Sequence, residues 1–213
     1  KDFDKKLLFK LLAFTLMALT STQLKPFVQL FVRDYIMQKG GNIDAGIWQA
    51  MVSLSKHYLD IITLALGAYY LPKLSSLTND KDIRKEILKG MKVIMPFFVL
   101  LAVIIYFTRH WAILLLYSNE FFEMAPLFFP QLIGDFFMIF SFLLSYLLLA
   151  KAMVKLFMIS QIFFALTRIT FSILLFNSFG VTGVIWANAL NYLLYFIFMI
   201  VVFRKLLFNP VPS

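Results

Sequence analysis

Cysteine is absent from the 213 residues, which removes disulfides, thiolate metal sites and cysteine nucleophiles and leaves the redox compartment open. Histidine is nearly absent, with only His57 and His110, so no metal site is expected and no cofactor is implied. Charge is scarce too. Only 15% of residues are charged and 62% are hydrophobic, giving a mean hydropathy of +0.85, whereas soluble domains are about a quarter charged. Too little polar sequence remains to coat a soluble fold, so lipid must be the solvent for most of the chain. The chain begins Lys1-Asp2-Phe3-Asp4, without a methionine or a cleavable apolar leader; no signal peptide is read, and the natural start is expected upstream. There is no low-complexity run, soluble domain or assertable internal repeat.

What is present is a series of long apolar runs. They predict an all-α integral membrane fold, a six-helix transmembrane bundle with spans at residues 7–24 (apolar on to 35), 47–71, 91–107, 126–149, 153–176 and 184–203. Turns are expected at Met37 to Asn42 and at Asn177 to Gly180, and short loops imply antiparallel neighbours. Lys25 precedes Pro26, where a kink is expected. The charged segment Asp80 to Lys92 reads as a helix along the membrane surface, and His110 to Tyr117, too short to span, as a partly embedded helix on the opposite surface.

The net charge of +9 would point to nucleic acid in a soluble protein, but its distribution gives another cause. Lys1, Lys5, Lys6 and Lys10, the cluster Lys73, Lys81, Arg84, Lys85, Lys89 and Lys92, and Lys151, Lys155, Arg204 and Lys205 fall on one side of the predicted topology. Only Arg33, Lys39 and Arg109 fall on the other. Basic residues accumulate on the cytoplasmic side, so both ends are expected there and no nucleic-acid partner is needed.

A charge within a span costs at least a few kcal/mol by insertion scales and should face a bundle interior or a hydrated cavity. In the second span Gln49, Ser53, Lys56, Asp60, Thr63 and Gly67 recur at steps of three and four, one helical stripe with His57 beside it. Lys56 and Asp60 have the i, i+4 spacing of a direct pair. The first span places Thr15, Ala18, Thr22, Lys25, Gln29 and Arg33 on one face, and the fifth Gln161, Ala165, Arg168 and Ser172. The fourth contributes Gln131 and Asp135, and the sixth Asn188, Asn191, Tyr192 and Tyr195. The third has almost no polar side chain and is assigned to lipid. At 1.5 Å per residue Asp60 sits roughly 20 Å, and Lys56 and Asp135 roughly 14 Å, below the outer ends of their helices, so one shared hydrated cavity is the economical solution.

Each of these residues also has a plainer reading. Lys25 and Arg33 are open between ligand contact and snorkelling to the headgroups, and Asp60 and Asp135 between coupling transport to H+ or Na+ and simple ion pairing. His57 is open between proton carriage and a hydrogen bond lining the cavity. If Asp60 is the coupling group, its protonation would free Lys56 for ligand. Lys25, Lys56 and Arg168 together offer three cations to a diphosphate or acidic sugar, with Gln49, Ser53, Gln161, Asn188 and Asn191 as polar lining.

Gly46-Ile47-Trp48-Gln49-Ala50, followed by Ser55, Tyr58-Leu59 and Tyr69-Tyr70-Leu71-Pro72-Lys73-Leu74-Ser75, resembles the Wzx-type flippases of lipid-linked oligosaccharides. These are the O-antigen and lipid III translocases of the MATE-like superfamily of multidrug, oligosaccharidyl-lipid and polysaccharide exporters. Leu116-Tyr117-Ser118-Asn119-Glu120-Phe121 and Gly180-Val181-Thr182-Gly183 fit the same pattern, and the matches run in order through nearly the whole chain. The resemblance implies one half of a two-bundle transporter, this chain being the C-terminal bundle and the N-terminal half of the same polypeptide its partner. It further implies a multi-pass protein of the bacterial inner membrane, serving O-antigen or related lipopolysaccharide synthesis and associated with a polysaccharide polymerase. An undecaprenyl-diphosphate-linked oligosaccharide would be delivered to the periplasmic leaflet by alternating access, and ion coupling would make it an antiporter. A drug exporter of the same fold is expected to have an acidic, aromatic cavity, which the lysines and arginine oppose. A membrane-embedded transferase would need paired acids or a catalytic loop, and a structural subunit would place the polar stripes in dry helix contacts.

Overall fold

The computed structural model describes residues 5–208 and is almost entirely helical. Lys1 lies outside the described residues, as do the side chains of Lys5, Lys6, Lys10 and Thr22. Helix α1 (Lys5–Ser76) is interrupted once, at Gly41, whose φ of 87° and ψ of −177° lie where a side chain is strained. Two segments, residues 5–40 and 42–76, therefore meet at a single glycine instead of the longer turn expected from Met37 to Asn42. Pro26 lies inside the first segment without a non-helical residue, so the kink expected there is not a break.

Helix α2 (Asp80–Leu116) opens on Asn79, whose side chain accepts from the Lys81 amide at 2.9 Å and so satisfies one of the free N–H groups of the first turn. It then runs 37 residues, past Pro96, to Tyr117. This corrects the two surface helices: Asp80 to Lys92 and His110 to Leu116 are the two ends of one helix, because nothing between them breaks it. At roughly 55 Å it exceeds the ~30 Å hydrocarbon thickness, so charged ends and an apolar middle need no separate helices. Ile83, Ile87, Gly90, Met95, Phe98 and Ile113 are buried, while Val93, Phe97, Leu100, Val103, Ile104 and Phe107 are exposed.

A 3-10 helix (Asn119–Leu127), not foreseen in the sequence, leads into α3 (Phe128–Ala150). Helix α4 (Val154–Val202) has one break, at Gly180 (φ 59°, ψ −144°), and a short α5 (Arg204–Phe208) follows. Among the described residues, three helical stretches are long and apolar enough to cross a membrane: Asp80–Leu116, Asn119–Ala150 and Val154–Val202. Gln49, Lys56, His57 and Asp60 lower the hydropathy of the second segment of α1.

Helix α3 packs against both α1 and α4. Gly134 permits the contact with α4, since a Cβ there would stand 3.1 Å from the Ala189 Cα. The apolar core falls into two clusters. One gathers Leu59, Leu66, Ile139, Leu143, Leu147, Phe157 and Met199. The other gathers Trp48, Met51, Ile113, Phe128, Val184 and Ile185. Along the second segment of α1 the change from one to the other comes between Met51 and Leu59, and along α3 between Phe128 and Ile139. The buried polar side chains Ser55, Gln131 and Asp135 fill that interval.

Candidate functional site

A groove of about 460 Å³ opens at this polar interval, walled by α1, α3 and α4. Helix α1 contributes Lys25, Lys56 and Asp60, α3 Gln131, Asp135 and Phe142, and α4 Gln161, Arg168, Asn188 and Tyr192. A smaller cavity of about 190 Å³ shares Lys25, Phe142, Gln161 and Tyr192 and continues past Ser145, Tyr146 and Tyr195.

At its floor lies Asp135, 1% exposed. Ser55 donates to its Oδ2 at 2.8 Å, Tyr58 donates to the same oxygen, and Gln131 Nε2 donates to Oδ1 at 2.9 Å. Gln131 also donates to the Ser55 hydroxyl at 3.1 Å, closing the network. Every bond treats Asp135 as an acceptor, so neutral donors hold the carboxylate and no cation is needed beside it.

Lys56 and Asp60 form the ion pair their spacing predicts, but with side chains 69% and 58% exposed they stand on the open rim of the groove. Arg168, only 8% exposed, donates from Nη1 to the Val184 carbonyl at 3.3 Å. The Lys25 ammonium stands 4.3 Å from the Phe142 ring centre. The ion pair among the described residues is Lys56–Asp60, so Lys25 and Arg168 have no carboxylate partner there. Two unpaired cations facing one buried carboxylate give the groove a positive balance suited to an anion.

The remaining candidates separate. Gln161 lines the groove and donates to the Tyr195 hydroxyl at 3.2 Å, and Asn188 lines it too. Asn191 is buried between the two segments of α4, accepting from Thr167 at 2.5 Å and donating to the Phe164 carbonyl at 3.2 Å. Gln49 donates to Ser53 at 3.2 Å, the exposed His57 ring meets the Ser53 carbonyl at 2.5 Å, and Arg33 is exposed near the Gly41 end of its helix segment; none of these four is part of the groove lining. Sequence reasoning did not single out Tyr58, Trp48 and Phe142 as site residues. Tyr58 shares a helix face with Ser55 three residues earlier, which was a usable signal; Phe142 offered none.

No family model matches the chain, and no solved structure matches it. Two curated proteins do. Over 195 residues it is 32% identical to the lipid III flippase of Escherichia coli (strain K12) and, to the same degree, to that of Shigella flexneri. Each alignment takes in 92% of this chain and 47% of the relative, so the chain spans about half the length of the curated relatives it matches. The groove thus belongs to an all-α membrane protein that is similar, over nearly its whole length, to lipid III flippases.

Proposed function

We propose that this chain is the C-terminal six-helix bundle of a Wzx-type, MATE-like flippase that moves an undecaprenyl-diphosphate-linked oligosaccharide from the cytoplasmic to the periplasmic leaflet of the bacterial inner membrane. The breaks at Gly41 and Gly180 divide two long helices into four segments; in this reading these, with α2 and α3, are the six spans, and both ends are cytoplasmic. The observation that carries the reading is the groove itself, with Lys25 and Arg168 unpaired and Lys56 on its rim, in a chain so similar to lipid III flippases. An anionic diphosphate gains charge-assisted bonds from such cations, and Gln161 and Asn188 suit sugar hydroxyls. The polyprenyl tail stays in lipid, where its burial costs nothing. The second bundle, from the remainder of a longer polypeptide, closes the groove over the substrate.

Asp135 and the Asp60–Lys56 pair supply coupling to H+ or Na+. Asp135 exchanges between its three donors and an incoming cation, and protonation of Asp60 frees Lys56 for the substrate. The rival drug-exporter reading finds little support, since an unpaired lysine and arginine repel organic cations. The test is deletion of the full-length gene in cells without a redundant flippase. Lipid-linked oligosaccharide should accumulate on the cytoplasmic leaflet, and undiminished periplasmic delivery would overturn the proposal.

A further inference from the structure

A third cavity lies beyond the polar groove and shares none of its lining residues. Its volume is about 560 Å³, and it runs between the second segment of α1 and α2. Ile61, Ala65 and Leu66 wall it on one side and Val93, Ile94 and Phe97 on the other. Its one polar end is made by Tyr69, Tyr70, Glu86 and Lys89. Tyr70 donates to the Glu86 carbonyl at 2.8 Å and lies directly over Gly90, where any Cβ would collide with the phenol, so the ring ties α1 closely to α2 at this end. Tyr69 donates to Glu86 Oε1 at 3.0 Å.

We infer that this cleft is a binding site for a phospholipid whose headgroup carries both a phosphate and a primary ammonium, that is, a phosphatidylethanolamine. Depth is the first argument. From Tyr70 to Ile61 is roughly 14 Å of helix and from Glu86 to Phe97 roughly 16 Å, each about half of a ~30 Å hydrocarbon core. An apolar cleft one leaflet deep, with its charged end among the basic residues of the first turns of α2, matches one acyl chain hanging from the interface. Charge is the second argument. Glu86 and Lys89 are three residues apart on α2, both at the mouth, and among the described residues they form no ion pair with each other. Lys89 can take the phosphate. The Glu86 carboxylate, with one bond from Tyr69, keeps capacity to accept N–H bonds from an ammonium, which a quaternary choline cannot donate. A purely anionic headgroup would satisfy Lys89 and leave Glu86 opposed. The site is independent of the transport reading.

Native mass spectrometry of the purified protein in mixed micelles, with phosphatidylethanolamine, phosphatidylcholine or phosphatidylglycerol at equal mole fraction, provides the test. The ethanolamine lipid should be retained about tenfold more than either other lipid. Lys89→Gln, at an exposed position, should remove most of that retention, Glu86→Gln should abolish the preference over choline, and Ala65→Trp should block the chain path while the melting temperature holds. Retention of no lipid, as when another protein segment covers the cleft, would overturn the inference. So would equal retention of all three lipids, or retention indifferent to Lys89→Gln.

Discussion

Ser55 on α1 donates to Asp135 on α3 at 2.8 Å across 80 residues of sequence, joining the two helices at the level where the apolar core divides. With Tyr58 and Gln131 this bond makes Asp135 both the floor of the groove and a link between its walls.

Removing that link should separate structure from transport. Ser55→Ala leaves two donors on the carboxylate and should cost about 1 kcal/mol, read as a modest loss in melting temperature. Asp135→Asn keeps the size of the side chain and should fold, yet lose the dependence of flipping on an ion gradient. Unchanged gradient dependence in that variant would assign Asp135 to structure alone.

The rim pair should behave differently. Because Lys56 and Asp60 are largely exposed, breaking the pair should change stability by less than about 1 kcal/mol. In proteoliposomes, Asp60→Asn should alter the ion dependence of flipping without changing the melting temperature. A large drop in melting temperature would show instead a structural pair.

Arg168 is buried and holds the Val184 carbonyl, so its planar fork matters as well as its charge. Arg168→Lys should recover the melting temperature of Arg168→Ala only in part and leave flipping several-fold below the parent. Full recovery by lysine would mean that a point charge suffices.

Gly134 and Gly90 both sit where another helix comes close. At Gly134, valine should cost about 1–3 kcal/mol by driving α3 away from Ala189. At Gly90, alanine should also destabilise, and pairing it with Tyr70→Phe, which removes the nearest colliding atom while the ring carbon behind it stays too close, should cost less than the sum of the two single changes. Additive losses would place the strain elsewhere.

The helical character of the chain and the local pairing of Lys56 with Asp60 were legible because both depend on spacing within one helix. The partners of Asp135 were not. A carboxylate inside an apolar run signals that something must satisfy it, but Ser55 and Tyr58 are brought there by the packing of α1 on α3, which spacing along one helix does not encode. The continuity of α2 was hidden for another reason: its charged first turns read as a surface helix, although a helix continues through a change of polarity if no residue breaks it. Conversely, Asn191 reads like cavity lining because polar residues in an apolar run look alike, and only the contact with Thr167 and Phe164 reveals a tie between the two segments of α4.

In the proposed function the groove binds an anionic lipid-linked sugar through its cations. This binding is tested most directly by transport of the lipid-linked oligosaccharide in proteoliposomes containing the full-length protein with Lys25→Gln and Lys56→Gln, two positions exposed enough to change without unfolding. A parent-like melting temperature with flipping at least about tenfold slower is expected. Flipping at the parent rate by that folded variant would contradict the proposal.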